Sequence, residues 1–191
     1  VNDAEKKIIL QRVPAILSSL AIESDRGCVL VVASMVEKTL ESYITRRLRP
    51  KASVRGDELM SRSAESPIGT FSAKINLAFR LGLFPENERD IYHQLRELRN
   101  VCAHNIDQQH FEAQRFKDRT KNIIGLSEPL WEALRSAFAR NGGGDKSLET
   151  VEEFVEHLGW RRSFEGFFAM VVAHKEACID RVPTLSALHA A

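Results

Sequence analysis

The chain lacks most of what would assign it at sight. Cysteine is scarce: 191 residues hold three, Cys28, Cys102 and Cys178, with no C-x-x-C spacing. That count speaks against a disulfide framework and a thiolate zinc site, and makes a reducing cytoplasm the expected location. Long hydrophobic runs are missing. The longest, Cys28 to Val36, is far short of a membrane span. Neither sign of charge dominates: 27 Lys+Arg stand against 26 Asp+Glu, a formal net charge of +1. A uniformly basic nucleic-acid coat and a polyanionic tail are excluded, while a local basic patch is not. No signal-peptide pattern opens the sequence. No P-loop, Rossmann glycine pattern, G-x-S-x-G elbow or His/Cys metal spacing occurs, so neither a metal nor a cofactor is expected. Internal repeats, low-complexity segments and convincing strand alternation are also absent.

What is present is globular. Hydrophobic residues make up 43% of the chain and charged residues 28%, enough for one all-α domain of roughly seven or eight helices. The periodicity predicts one helix or two over Asp3 to about Ile22, with Pro14 as a kink or restart. A helix capped by Ser24 runs to about Arg49, stopped by Pro50. Its apolar first half, Cys28 to Val36, predicts a central helix covered on all sides. Lys51 to Pro67 reads as a loop with one turn at Asp57 to Arg62. A helix follows over Thr70 to Leu81, with Gly82 at its C′ position, and another over Pro85 to His104. A turn at Asn105 to Asp107 leads to a helix capped by Asp107 that runs through about Lys121. Ser127 starts the next, ending near Arg140. Gly142 to Gly144 is a linker, and Thr150 with Glu153 forms a capping box for one or two helices to about Arg181, with a break at Gly159. The chain thus divides into a helical core over 1–141, C-terminal helices over 145–182 packing on the same domain, and a loose tail over 183–191.

The chemistry concentrates in Ile91 to Asn105. At 100° per residue, Ile91, Leu95, Leu98 and Cys102 form one apolar stripe. His93, Arg96, Glu97, Asn100 and His104 fall on the opposite side, with Arg99 on the shoulder between. Arg99 and His104 diverge by roughly 140° on an unbroken helix. They share a site if the helix loosens at Ala103-His104, or if two copies pair and pool their residues. Such a cluster holds what phosphodiester chemistry needs: a guanidinium for phosphate, an imidazole for proton exchange and an amide for positioning.

Arg99-Asn-Val-Cys-Ala-His104 fits the R-x4-H motif of the HEPN superfamily, with a polar residue, Asn100, directly after the arginine. The stretch Ser66-Pro-Ile-Gly-Thr-Phe-Ser-Ala-Lys-Ile-Asn-Leu-Ala-Phe-Arg-Leu-Gly-Leu83 resembles the mannitol operon repressor (MtlR) family. There a P-[LI]-G-x-[FL]-S-x-[KR]-[IL] segment precedes the motif helix. The resemblance spans roughly residues 24 to 125. It implies an all-α HEPN-like bundle that homodimerises with two R-x4-H motifs facing each other. It also implies a metal-independent RNA endonuclease, or an RNA-binding module, with cleavage leaving a 2′,3′-cyclic phosphate and a 5′-OH. His104 is then the general acid/base, Arg99 the stabiliser of the phosphorane and Asn100 an orienting residue for substrate or His104, with His93 and Arg96 auxiliary. The mannitol-repressor branch implies an alternative, a non-catalytic transcriptional regulator acting through a protein partner. Direct DNA binding is not expected, because no recognition helix stands out.

Other residues carry weaker expectations. Glu37, just after the apolar run, is a candidate to orient Arg99 through an ion pair, or else sits at a solvent edge. Arg46, Arg47 and Arg49, with Lys51 and Arg55, are a candidate phosphate-binding patch or simply a favourable helix C-terminus. Arg115, Lys117, Arg119 and Lys121 form a second basic cluster. Phe164, Phe167 and Phe168 are core residues or an anchor for a dimer or partner helix.

Overall fold

A computed structural model describes residues 1–50, 59–60, 66–104, 110–140 and 149–186. Among them are eight α-helices and no strand: α1 (Asp3–Ala21), α2 (Asp25–Arg47), α3 (Phe71–Arg80), α4 (Glu86–His104), α5 (Gln114–Gly125), α6 (Glu128–Arg140), α7 (Val151–Leu158) and α8 (Trp160–Cys178), followed by a 3₁₀ turn (Ile179–Arg181). None of the described helices is long and apolar enough to cross a membrane.

Local chemistry sets most of the boundaries. The side chains of Ser24 and Thr70 accept from Gly27 N–H and Ala73 N–H and so cap α2 and α3. Thr150 and Glu153 form a reciprocal capping box on α7. Gly82 (φ 69°) and Gly159 (φ 93°) take the left-handed conformation that ends α3 and separates α7 from α8. Pro14 lies within α1, which continues through it to Ala21 as one helix. α5 starts later than expected, at Gln114 after an Ala113 N-cap with no side-chain cap; Asp107 lies outside the described residues. The expected turns at Asp57 to Arg62 and Asn105 to Asp107, and the glycine linker, lie wholly or mostly outside the described residues.

Four long helices make the frame, and ion pairs at their ends give their directions. Arg181 binds Glu5 at the start of α1, while Arg161 at the start of α8 reaches the carbonyls of Leu20 and Glu23 at the end of α1. α1 and α8 are therefore antiparallel. Arg161 also holds Asp25 at the start of α2 (2.7 Å), and Tyr43 near its end donates to Lys175 O (2.7 Å), so α2 runs parallel to α8. Lys175 pairs with Glu88 at 2.7 Å, which sets α4 antiparallel to both.

The most enclosed helix is α8, not α2. Phe164, Phe167 and Phe168 are fully inside the core with Ala169, Val172 and Ala173, so the Phe group is no anchor for a partner. α2 buries Cys28, Val29, Val32, Ala33 and Val36 but leaves Ser34 exposed and Leu30, Val31 and Met35 half-buried. The difference follows from α1, which packs chiefly on α8 and leaves one side of α2 open. The tail is not loose through Ser186. Leu185 N–H donates to Arg47 O (2.8 Å), Thr184 Oγ1 to Arg46 O (3.1 Å) and Arg47 Nη1 to Pro183 O (3.0 Å).

Arg161 joins three helices through its planar fork of donors. Besides Asp25, Leu20 and Glu23, it binds Glu165 (2.8 Å), which also accepts from the Cys28 thiol (3.7 Å). Burial, reinforced by Glu165, pushes the Cys28 thiol up to about 12. Arg161→Met strands two partly buried carboxylates and two carbonyls. We expect it to cost about 2–4 kcal/mol in urea unfolding. Arg12→Ala, which breaks the exposed pair with Glu176, should cost under about 1 kcal/mol. Equal losses would contradict the clamp.

Candidate functional site

The residues of interest ride on α4, whose period of 3.6 buries Ile91, Leu95, Leu98 and Cys102 as the sequence stripe requires, with Tyr92 added. The opposite face runs outward. Arg99 and His104 are exposed, and Asn100, Arg96 and His93 are half-buried. α4 stays helical through His104. The helix does not loosen, and within one protomer the Arg99 and His104 side chains leave the axis roughly 140° apart.

One contact narrows that divergence. The Arg99 guanidinium donates through Nη1 to Asn100 Oδ1 at 3.1 Å. Asn100 lies on the same stripe as His104, one turn before it. The amide therefore draws the guanidinium off its shoulder toward the face that carries the imidazole. Asn100, expected to orient substrate or His104, accepts this hydrogen bond from Arg99. Neither Arg99 nor His104 enters an ion pair among the described residues. Ahead of α5, Phe111 N–H donates to Asp25 Oδ2 at 3.0 Å, which ties that residue to the start of α2 and to the Arg161 clamp.

His93 Nε2 stands 3.2 Å from Asn76 Oδ1 on α3. Burial, then the nearby Arg96 and Arg89, hold its imidazole below the usual histidine value. Arg96 has its Nε wholly buried with no hydrogen-bond partner among the described residues.

Glu37 does not serve Arg99. It pairs with Lys74 at 2.6 Å, and Lys74 also binds Glu41 one turn along α2. The reason is geometric: α3 covers the side of α2 that carries both glutamates, and Lys74 is its inward residue, 1% exposed. Burial alone would lower the Lys74 ammonium, but the hydrogen bonds it donates to Glu37 and Glu41 outweigh it and raise it. The sequence held a signal for this. Lys74 lies within the buried set Phe71, Ile75 and Ala78, and a lysine there demands acids elsewhere at i, i+4, as Glu37 and Glu41 are.

The basic cluster at the end of α2 does not join the motif. α2 and α4 are antiparallel, so Arg46, Arg47 and Arg49 lie at the end of the bundle away from His104, roughly 30 Å along α2. Arg46 is paired with Asp180 (3.2 Å) and Arg47 holds the tail. Arg49 is exposed. Lys51 and Arg55 lie outside the described residues. In the second cluster Lys117 pairs with Glu112 (2.8 Å), Arg119 with Glu97 (2.5 Å) and Lys121 with Glu152.

Compared with known protein families, with curated proteins and with solved structures, the chain matches none. The likeness to the HEPN superfamily and its mannitol-repressor branch rests on the motif residues and the segment leading to them.

The paired glutamates at Lys74 predict redundancy. Glu37→Gln or Glu41→Gln alone should cost under about 1 kcal/mol, because the other carboxylate keeps the lysine paired. The double variant leaves a buried lysine unpaired and should cost about 2–4 kcal/mol, more than the sum. Additive losses in chemical denaturation would show that the two act independently.

Proposed function

We propose that the protein is a HEPN-type, mannitol-repressor-like helical protein that works as a metal-independent RNA endonuclease or RNA-binding module, with its R-x4-H residues pooled at a homodimer cleft. The observation that carries the reading is the Arg99–Asn100 hydrogen bond, which turns the guanidinium toward the exposed His104 face. Both side chains stand exposed on α4, and neither enters an ion pair among the described residues.

In this reading two motifs meet across a two-fold axis. One His104 removes the proton from a ribose 2′-OH as its oxygen attacks the adjacent phosphorus. The partner's His104 protonates the 5′-oxygen as the P–O5′ bond breaks. The products are a 2′,3′-cyclic phosphate and a 5′-OH. The Arg99 guanidinium holds the negative charge that builds on the phosphorane. Asn100 is a positioning residue that aims Arg99.

A second reading, a non-catalytic regulator acting through a protein partner, is favoured by a different observation. Leu30, Val31 and Met35 form an open apolar trough on α2, on the side that α1 leaves uncovered.

The test is RNA cleavage in EDTA on single-stranded RNA and tRNA. The nuclease reading expects cyclic-phosphate ends from the wild type, and a loss of at least about 100-fold in His104→Ala and Arg99→Ala variants that still fold. Cleavage indifferent to both substitutions, or none by a well-folded protein, moves the assignment to the partner-binding regulator.

A further inference from the structure

The side of α2 that α1 leaves open carries a pattern that repeats about one point. At 100° per residue, Gly27, Val31, Ser34 and Lys38 run down its middle, with Leu30 and Met35 at its edges. Ser34 and Lys38 are exposed, and Leu30, Val31 and Met35 are half-buried. The last five of these line a shallow trough of about 320 Å³. Beside it, toward α1, lies a deeper groove of about 370 Å³ between Arg12, Met35, Thr39, Ser42, Tyr43 and Ile179. The small residues Gly27 and Ser34 stand one on each side of Leu30 and Val31, and neither puts a long side chain in the way of a second helix.

Two opposite charges flank this stretch. Glu23, just ahead of the Ser24 cap, lays its carboxylate over Gly27, where a Cβ would stand 2.5 Å from Oε2. Neither that carboxylate nor the Lys38 ammonium enters a hydrogen bond or an ion pair among the described residues. Next to Glu23 is Ile22, 86% exposed, the most exposed large apolar side chain among the described residues. Each feature has its complement on the same helix, equally far beyond Leu30 and Val31. A two-fold axis set between those two residues, perpendicular to α2, lays a second α2 antiparallel on the first. Gly27 then meets the partner's Ser34, and Glu23 meets the partner's Lys38. Ile22 comes level with the partner's Thr39. Such an axis keeps the α1 side of one copy beside the α1 side of the other. Ile22 follows the end of α1, and the groove at Thr39 opens on that same side, so the isoleucine enters it.

We infer that this face of α2 docks a second copy of the chain, α2 against α2, antiparallel about a two-fold axis between Leu30 and Val31. Self-complementarity of charge is what commits the surface to a second copy: the unpaired Glu23 and Lys38 stand at equal distances from one point, so the axis pairs each with the other twice. Leu30 and Val31 supply the dry centre, and the Ile22 knob in the Thr39 groove closes each end. One helix face with such a knob is a small interface, below about 1,200 Å² in total, so the dimer dissociates in the micromolar range. The inference goes beyond the phosphodiester reading and does not rest on it. α4 packs on the buried side of α2 and turns Arg99, Asn100 and His104 outward. It does occupy the trough that a foreign protein partner would use.

Charge reversal tests the register. Analytical sedimentation of the full chain, over a micromolar to submillimolar series, should show a monomer–dimer equilibrium. Glu23→Lys or Lys38→Glu alone sets like charges against each other twice across the axis and should weaken the dimer about 10-fold or more. The double variant, Glu23→Lys with Lys38→Glu, should restore it. Ile22→Asp and Ser34→Glu, both at exposed positions, should weaken it as well. The native cysteines are all buried, so Val31→Cys adds one accessible thiol beside the axis. Mild oxidation should join two copies there, while Thr45→Cys, on the same face but far from the axis, should stay unjoined. A wild type that remains monomeric throughout overturns the pairing and leaves the trough to a different protein. A dimer indifferent to the single reversals and to Ser34→Glu, with no cross-link through Val31→Cys, is built on another face such as the end of α4. That result overturns the pairing and leaves the phosphodiester reading untouched. Single reversals that weaken the dimer without rescue by the double variant overturn the Glu23–Lys38 register.

Discussion

Arg161 is the point on which the arrangement of helices turns. Its guanidinium takes the last carbonyls of α1, the first carboxylate of α2 and a glutamate of its own helix, α8. Asp25, once held, also accepts from Phe111 N–H. Phe111, ahead of α5, is thereby fixed to the same end of the bundle. A lysine could not replace Arg161, because a point charge does not offer a planar fork of five donors. The desolvation cost of such a group is offset only by complete pairing, and four acceptors supply it.

Lys74 does for α3 what Arg161 does for the bundle end. A short helix buries too little apolar surface to fix its own register, and α3 has ten residues. A fully buried ammonium with two acceptors on α2 pins it. The consequence is electrostatic. α3 is held where its Asn76 meets His93 and its Phe79 lies under the Arg89 guanidinium. Positive groups accumulate along one face of α4 while the whole chain stays near neutral, with a formal net charge of +1.

Local features of this fold are legible in the sequence because local chemistry sets them. Ser24, Thr70 and the Thr150–Glu153 pair are caps whose partners lie within three residues. Gly82 and Gly159 mark positive φ, and the stripe from Ile91 to Cys102 follows from period alone. The pairing of distant residues is not legible, because periodicity gives each helix a face and no neighbour. Glu37, a candidate partner for Arg99, serves Lys74 instead. Arg46 and Arg47, candidates for phosphate, hold Asp180 and the tail. The burial of Phe164, Phe167 and Phe168 is readable in principle, since Phe164 to Ala173 is largely apolar on all sides, as a central helix is. At the site, the identities of Arg99, Asn100 and His104 come from the motif. The Arg99–Asn100 hydrogen bond and the orphan Nε of Arg96 require coordinates.

The central claim is that this face of α4 directs a ribose hydroxyl against its neighbouring phosphate. The most direct measurement gives the wild-type protein an RNA oligonucleotide that it cuts, and a second copy with a single 2′-deoxy sugar at the cleaved position. The account predicts binding of both and cutting of only the first at that position. Equal cutting of the deoxy-substituted strand at that position would contradict it, because no 2′-oxygen would be there to attack.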